Sequence, residues 1–256
     1  MEITQQDLNE ILANHKKWLN KEAGGRRAEL NGIDLTDADF RGAELTGASL
    51  SRSDLEGADF EGATMKNIQL SHANLQNVNL KKAYLKGAIM CSSILYDARF
   101  NEADLSNADL QNASASIANF DGANLQHANL ISAQLDYVNL IDANLYGAQL
   151  AKANLFKAII KGTNFICADL IGAELPDGIC QVKLLGRAYE QVFYNAVDDQ
   201  IIAPHWDDKK GNRLESLKDY AEHYGPKGQL PDEFYYKQYM LVLKFLSELK
   251  ELKKVL

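Results

Sequence analysis

Every fifth residue from Leu30 to Leu175 is apolar, and the register never slips. The series begins Leu30, Leu35, Phe40, Leu45, Leu50, Leu55, Phe60, Met65, Leu70 and holds for 30 positions, with Ala115 its weakest member. Two residues before each stands a small or β-branched residue. It is alanine in 23 of the 30 cases, with Ile33, Ser53, Ile68, Val78, Ser93, Val138 and Thr163 as the exceptions. A helix repeats near 3.6 residues and a strand at 2, so a strict period of five would carry its apolar stripe around either one. The period suits a chain in which five residues make one side of a square coil and a turn makes each corner. The large residue and the small one two earlier then both point inward. Alanine fits because a second large residue on every side would overfill a narrow interior. Four sides give about 20 residues per coil and about seven and a half coils, a tower about 36 Å tall at ~4.8 Å per coil.

The four-sided arrangement can be checked within the sequence. Phe40, Phe60, Phe100 and Phe120 are spaced by multiples of twenty, and Leu80, Leu140 and Ile160 complete their column. Only Phe165, among the inward phenylalanines, falls on another face. One wide face that stacks aromatic rings is the simple reading.

The repeat carries a recognisable motif. Alanine-aspartate-leucine stands at Ala103–Leu105 and Ala108–Leu110, and alanine-asparagine-leucine at Ala73–Leu75, Ala123–Leu125, Ala128–Leu130, Ala143–Leu145 and Ala153–Leu155. The pattern resembles the pentapeptide-repeat family over about 150 of the 256 residues. The resemblance implies an all-β solenoid, a right-handed quadrilateral β-helix. It also implies a functional option, because the family includes inhibitors and protectors of DNA gyrase that resemble a DNA duplex in shape and charge. Other members have no assigned activity, and a fold does not carry a function with it.

Three segments follow from the register: 1–25, an N-terminal capping helix; 26–175, the repeat; and 176–256, an α-helical C-terminal region. Both ends of a β-helix expose an open core and an unpaired edge, so caps are expected. Asp7–Leu19 carries Leu8, Ile11, Leu12, His15, Trp18 and Leu19 on one stripe, with Gly24-Gly25 ending the helix. After Pro176-Asp177-Gly178, helical spacing of Leu185, Ala188, Tyr189, Val192 and Phe193 predicts a helix over Lys183–Ala196. A polar loop over Ile201–Asn212, a short helix over Arg213–Tyr224 and a long helix opened by Pro231 complete the region. The long helix places Tyr235, Tyr239, Val242, Leu246 and Leu249 on one stripe, suited to capping the tower or pairing with a second copy.

The outward positions are where function would be written. Residues just before the large one begin acidic, including Asp34, Asp39, Asp54 and Asp59, and later become mostly asparagine. Stacked asparagines can hydrogen-bond along a ladder, a structural reading of that run. Charge is segmental: residues 26–64 carry nine acids and four bases, and residues 65–95 carry Lys66, Lys81, Lys82 and Lys86 with no acid. Lys66 and Lys86, twenty apart, should share a face and interrupt any acidic stripe. Ile131, Ala151 and Ile171 form one outward apolar column, Tyr146 with Ile166 a second, and Ile117 with Tyr137 a third. Such columns need cover by the rest of the chain or by a partner.

Catalytic, cofactor and metal signatures are not found. Neither HExxH nor CxxC occurs, nor a GxSxG nucleophile motif or phosphate-binding glycine loop. His127 and Cys167 share an outward column but lie two coils, about 10 Å, apart, too far for one metal. The cluster His205, Asp207 and Asp208 is the only other grouping, in a polar loop. The net charge of −8 argues against direct nucleic-acid binding. Three cysteines at no ligand spacing, no signal-peptide core and no long apolar run point to a reducing cytoplasm and no membrane segment. The sequence therefore predicts a non-catalytic protein-interaction scaffold, with homodimerisation through the C-terminal helices. A duplex-mimicking gyrase modulator is the alternative. Asp34, Asp39, Asp54, Asp59, Lys66 and Lys86 are the candidate surface.

Overall fold

The computed structural model describes residues 3–177, 179–183, 191–195 and 200–202. Helix α1 spans Gln5–Leu19. It starts two residues before the expected Asp7 because Thr4 and Asp7 form a capping box. The Thr4 hydroxyl accepts the Asp7 N–H at 3.1 Å, and the Asp7 carboxylate accepts the Thr4 N–H at 2.9 Å. The Thr4 hydroxyl, and then its backbone, hold the Asp7 carboxyl below its ordinary pKa. The helix ends at Leu19, as expected, but its cap is Asn20 rather than Gly24-Gly25. Gly25 serves a different need, since a Cβ there would collide with the backbone of Lys17 and Trp18.

From residue 29 onward the chain winds in coils of twenty. Parallel bridges join every fifth residue to the one twenty later, from Glu29↔Ser49 to Asn154↔Glu174. The inward residues are buried as the period of five requires: Leu45, Leu50, Leu55, Phe60 and Leu105 have no exposed surface. The phenylalanine column stacks. Ring centroids lie 4.4 Å apart for Phe40–Phe60 and 4.5 Å for Phe100–Phe120, with planes within 5° and 3°. That spacing follows from the separation between coils, which sets the distance at which like residues meet. Ser53, Ser93 and Thr163, at alanine positions, are buried and donate to the carbonyls of Leu50, Met90 and Leu140.

One five-residue side shows why the repeat has this sequence. Asp59 N–H donates to the Ala38 carbonyl at 3.0 Å in the coil before, and Phe60 N–H to the Asn79 carbonyl at 2.7 Å in the coil after. Gly62 N–H donates to Lys81 at 2.9 Å, and Ala63 N–H closes the corner onto Phe60 at 2.9 Å. Only Glu61 N–H lacks a backbone acceptor, and the Asp59 Oδ1 takes it at 3.0 Å. All five N–H groups of this side are engaged, so proline would remove a bond at any of these positions. The last residue of each corner is left-handed from Gly32 to Gly172, although glycine fills only some of these places.

Past the repeat, Lys183 and Gln191–Asn195, which the expected helix over Lys183–Ala196 would include, are strand instead. Strands β1 (Ile179–Lys183), β2 (Gln191–Asn195) and β3 (Gln200–Ile202) make an antiparallel sheet in the order β1-β2-β3. Their registers pair Gln181 with Phe193 and Tyr194 with Ile201. The run Val192-Phe193-Tyr194 is β-branched and aromatic, and this strand preference prevails over the helical spacing of its apolar residues. The polar loop expected from Ile201 likewise yields its first residues to β3. His205, Asp207 and Asp208, the helix over 213–224 and the stripe of Tyr235, Tyr239, Val242, Leu246 and Leu249 lie outside the described residues.

Candidate interaction surface

Four of the proposed surface residues have a backbone duty. Asp34 Oδ1 accepts the Thr36 N–H at 3.1 Å and its hydroxyl at 2.9 Å, which hold the Asp34 carboxyl below its ordinary pKa. Asp39 accepts the Arg41 N–H at 3.0 Å and the Arg41 guanidinium at 2.9 and 2.7 Å. The guanidinium, and then the Arg41 N–H, lower the Asp39 pKa to about 2. Asp54 and Asp59 accept the N–H groups of Glu56 and Glu61, and each also accepts the Nδ2 of the asparagine one coil later, Asn74 and Asn79, at 2.9 Å. The carboxylates are therefore outward but not idle. The asparagine ladder holds in the later coils too, where Asn139 donates to Asn119 at 3.3 Å and Asn164 to Asn144 at 3.0 Å. What the period could not reveal is the second role of these oxygens, closing the corner N–H two residues on.

Lys66 and Lys86 are exposed in successive coils and share a column, as expected, and neither forms an ion pair among the described residues. Lys82, in a different column, approaches Glu102 at 3.8 Å.

The apolar surface is wider than the separate columns suggested. Tyr96, Ile117, Tyr137 and Phe156 follow one another up a single corner of four successive coils, and all are exposed. Tyr137, 54% exposed, meets the Phe156 ring edge-on with centroids 5.7 Å apart. Lys157 lies 5.7 Å from the Phe156 centroid and pairs with Asp177 at 3.0 Å. Ile159, 52% exposed, begins the next face. Sequence reading found Ile117 and Tyr137 but not Tyr96 and Phe156. These sit one place earlier on the same corner, and the signal was there once neighbouring columns are read together. Of the other expected residues, Ile131, Tyr146 and Ile166 are half-buried and Ile171 is exposed.

The corner is also conformationally costly. Ile117 and Tyr137 hold φ of 55° and 57°, the left-handed region that a β-branched or bulky side chain rarely enters. No group of three His, Cys, Asp or Glu side chains that could hold a metal occurs among the described residues, and His127 packs instead on Tyr146, edge to face. No described helix is long and apolar enough to cross a membrane.

Comparison with known proteins agrees with this geometry. The family model described as pentapeptide repeats matches in 8 copies, over residues 28–67, 53–90, 68–107, 93–130, 103–140 and 143–177. A trypsin-treated variant of QnrB1, a plasmid-mediated fluoroquinolone resistance protein, is similar with a TM-score of 0.52 and 20% identity, over 59% of this chain and 84% of that one. HetL, a pentapeptide-repeat protein involved in heterocyst differentiation regulation in Nostoc sp. strain PCC 7120, matches at 28% identity and a TM-score of 0.34, over 63% of this chain and 92% of that one. No curated protein matches the chain significantly.

Proposed function

From the premise that this chain belongs to the pentapeptide-repeat family, whose members fold as right-handed quadrilateral β-helices, we propose that it is a non-catalytic scaffold whose tower binds another protein. The observation that carries this reading is the exposed corner of Tyr96, Ile117, Tyr137 and Phe156. An aromatic and aliphatic stripe on a folded surface suits the apolar centre of a protein interface. A duplex surrogate would instead present unbroken acid. The interior supports the same reading, because the inward columns are filled by Leu, Phe, Met and Ala side chains. Lys66 and Lys86 lie half a coil away, on the opposite corner, and so are no part of this interface.

The remaining parts of the proposal concern assembly and place. Helix α1 serves as the N-terminal cap, and residues 176–256 close the other end and join two copies through the stripe at Tyr235, Tyr239, Val242, Leu246 and Leu249. The free thiol of Cys91 suits a reducing compartment such as the cytoplasm.

A second reading keeps the gyrase option. It is favoured by the acidic first coils, where Asp34 and Asp54 share one column and Asp39 and Asp59 another, and by the fold shared with a fluoroquinolone resistance protein. Against it stand the replacement of acid by Asn74 and Asn79 when these columns reach the next coil and the tying of the carboxylates to backbone and asparagine groups.

The test is affinity capture of partners from extract with the wild-type chain and with a Tyr137→Ser, Phe156→Ser variant. Both side chains are exposed, so the fold should survive. A partner retained by the wild type and lost by the variant supports the scaffold reading. Identical capture by the two would overturn it.

A further inference from the structure

Helix α1 meets the first coil through groups that replace a missing coil. The Gln5 side-chain amide donates to the Asp39 carbonyl and accepts the Asp39 N–H, both at 3.1 Å, standing in for the N–H and carbonyl that Phe40 and Ala38 give Asp59 in the next coil. Arg26 N–H donates to the Asn14 carbonyl at 3.1 Å. Ala28 N–H donates to His15 Nδ1 at 3.1 Å. The corresponding N–H closes a corner onto the carbonyl three residues before it from Ala38 onward, as Ala38 does onto Leu35 at 3.1 Å. Leu8 is buried beside these contacts.

The bond from Ala28 fixes the state of the imidazole. A ring nitrogen that accepts a hydrogen bond carries no proton, so His15 is neutral with its proton on Nε2. Nε2 is fully buried, makes no hydrogen bond of ordinary geometry, and faces the Thr46 backbone. A second proton would have to enter at Nδ1, against the Ala28 N–H. His15 has no exposed surface, and its ring stacks on Trp18 at 5.4 Å. From the coil, Arg27 opposes a charge here and Glu44 favours it more weakly. Burial is the largest effect and holds the His15 pKa below its ordinary value, partly offset by the Thr46 backbone.

We infer that α1 is a proton-sensitive latch, in which neutral His15 holds the helix on the first coil and a protonated His15 releases it. The sign follows from linkage. In the released helix His15 titrates near the ordinary value of about 6.5, and in the docked helix lower, so the released state binds more protons on the acid side. Docking is at full strength above about 6.5 and weakens as pH falls below it. Release lays bare the inward residues and unpaired N–H groups of the first coil, an edge open to pairing with another chain.

The test is amide hydrogen exchange on the full-length protein at pH 7.5 and 5.0, corrected for the intrinsic pH dependence of exchange, with His15→Gln beside the wild type. In the wild type, exchange across α1 and at Ala28 should rise several-fold at the lower pH, while the middle coils stay protected. In His15→Gln, α1 should exchange alike at both pH values, whether the glutamine holds the helix or not. PH-independent exchange of α1 in the wild type, or a pH dependence that survives in His15→Gln, would overturn the latch. Nitrogen NMR of the imidazole adds a second reading. An unprotonated Nδ1 at pH 7.5 is expected, and a proton found on Nδ1 at that pH would contradict it.

Discussion

Asn79 donates its side-chain N–H to Asp59 Oδ1 at 2.9 Å, and the same oxygen accepts the Glu61 N–H at 3.0 Å. One atom thus closes a corner within its own coil and ties that coil to the next. Asparagine does the same corner-closing work at position 79, where its Oδ1 accepts the Lys81 N–H at 3.3 Å. Charge at these positions is therefore separable from structure.

The separation gives the first prediction. Asp54→Asn and Asp59→Asn should each alter stability by no more than about 0.5 kcal/mol, the range of neutral surface changes. Asp59→Ala, which strands the Glu61 N–H and leaves the Asn79 amide only the Glu61 carboxylate at 3.4 Å, should cost about 1 kcal/mol. Urea melts of the three variants check this. An equal loss for Asn and Ala would show that charge, not the hydrogen bond, is what matters. Charge reversal at Asp34, Asp54 and Asp59, which simple solvent exposure would make harmless, should unsettle the corners.

A second prediction concerns the strained corner. Ile117 occupies the left-handed region at a φ of 55°, where a side chain costs roughly 1–2 kcal/mol relative to glycine's freedom there. Ile117→Gly gives back part of that gain in chain entropy, so a net stabilisation of up to about 1 kcal/mol is expected. Thermal melting should show a higher midpoint. An unchanged or lower one would mean that Ile117 has packing on the tower that offsets its strain.

The core offers a third. Leu105 has no exposed surface, so Leu105→Lys buries an unpaired charge at a cost of several kcal/mol. Circular dichroism should report loss of the tower or a greatly lowered melting point. A well-folded variant with wild-type melting would refute the twenty-residue coil.

How much of this was legible in the sequence depends on what the chain's period encodes. The spacing of five records burial, so Leu30 to Leu175, the alanines and the stack of Phe40 on Phe60 could be read without a structure. Hydrogen-bond destinations leave no such periodic mark. The role of Asp59 toward Glu61 was therefore hidden, and so was the left-handed corner, because residues such as Ile117 and Tyr137 fill places where glycine would have signalled it. At the N-terminus the pair Thr4 and Asp7 was a readable cap, while Trp18, on the helix stripe, is 41% exposed. Beyond the repeat, the spacing of Val192 and Phe193 fits a helix and a strand alike, and a run this short could not be settled by period alone.

Assembly yields a fourth prediction. A helix apolar around most of its circumference needs burial on more than one side, and the helix expected from Pro231 would carry Phe234, Tyr235, Tyr236, Tyr239, Met240 and Leu241. Light scattering should find the full-length chain dimeric and a chain ending at Gly225 monomeric. A monomeric full-length protein would remove the dimer.

The central claim, that the tower offers a protein-binding corner rather than a surrogate duplex, is tested most directly by gyrase supercoiling with the full-length protein at micromolar concentration. The account predicts no change in supercoiling. Inhibition by the wild type that disappears in the folded Asp34→Asn, Asp54→Asn, Asp59→Asn variant would contradict it and establish the acidic coils as the functional surface.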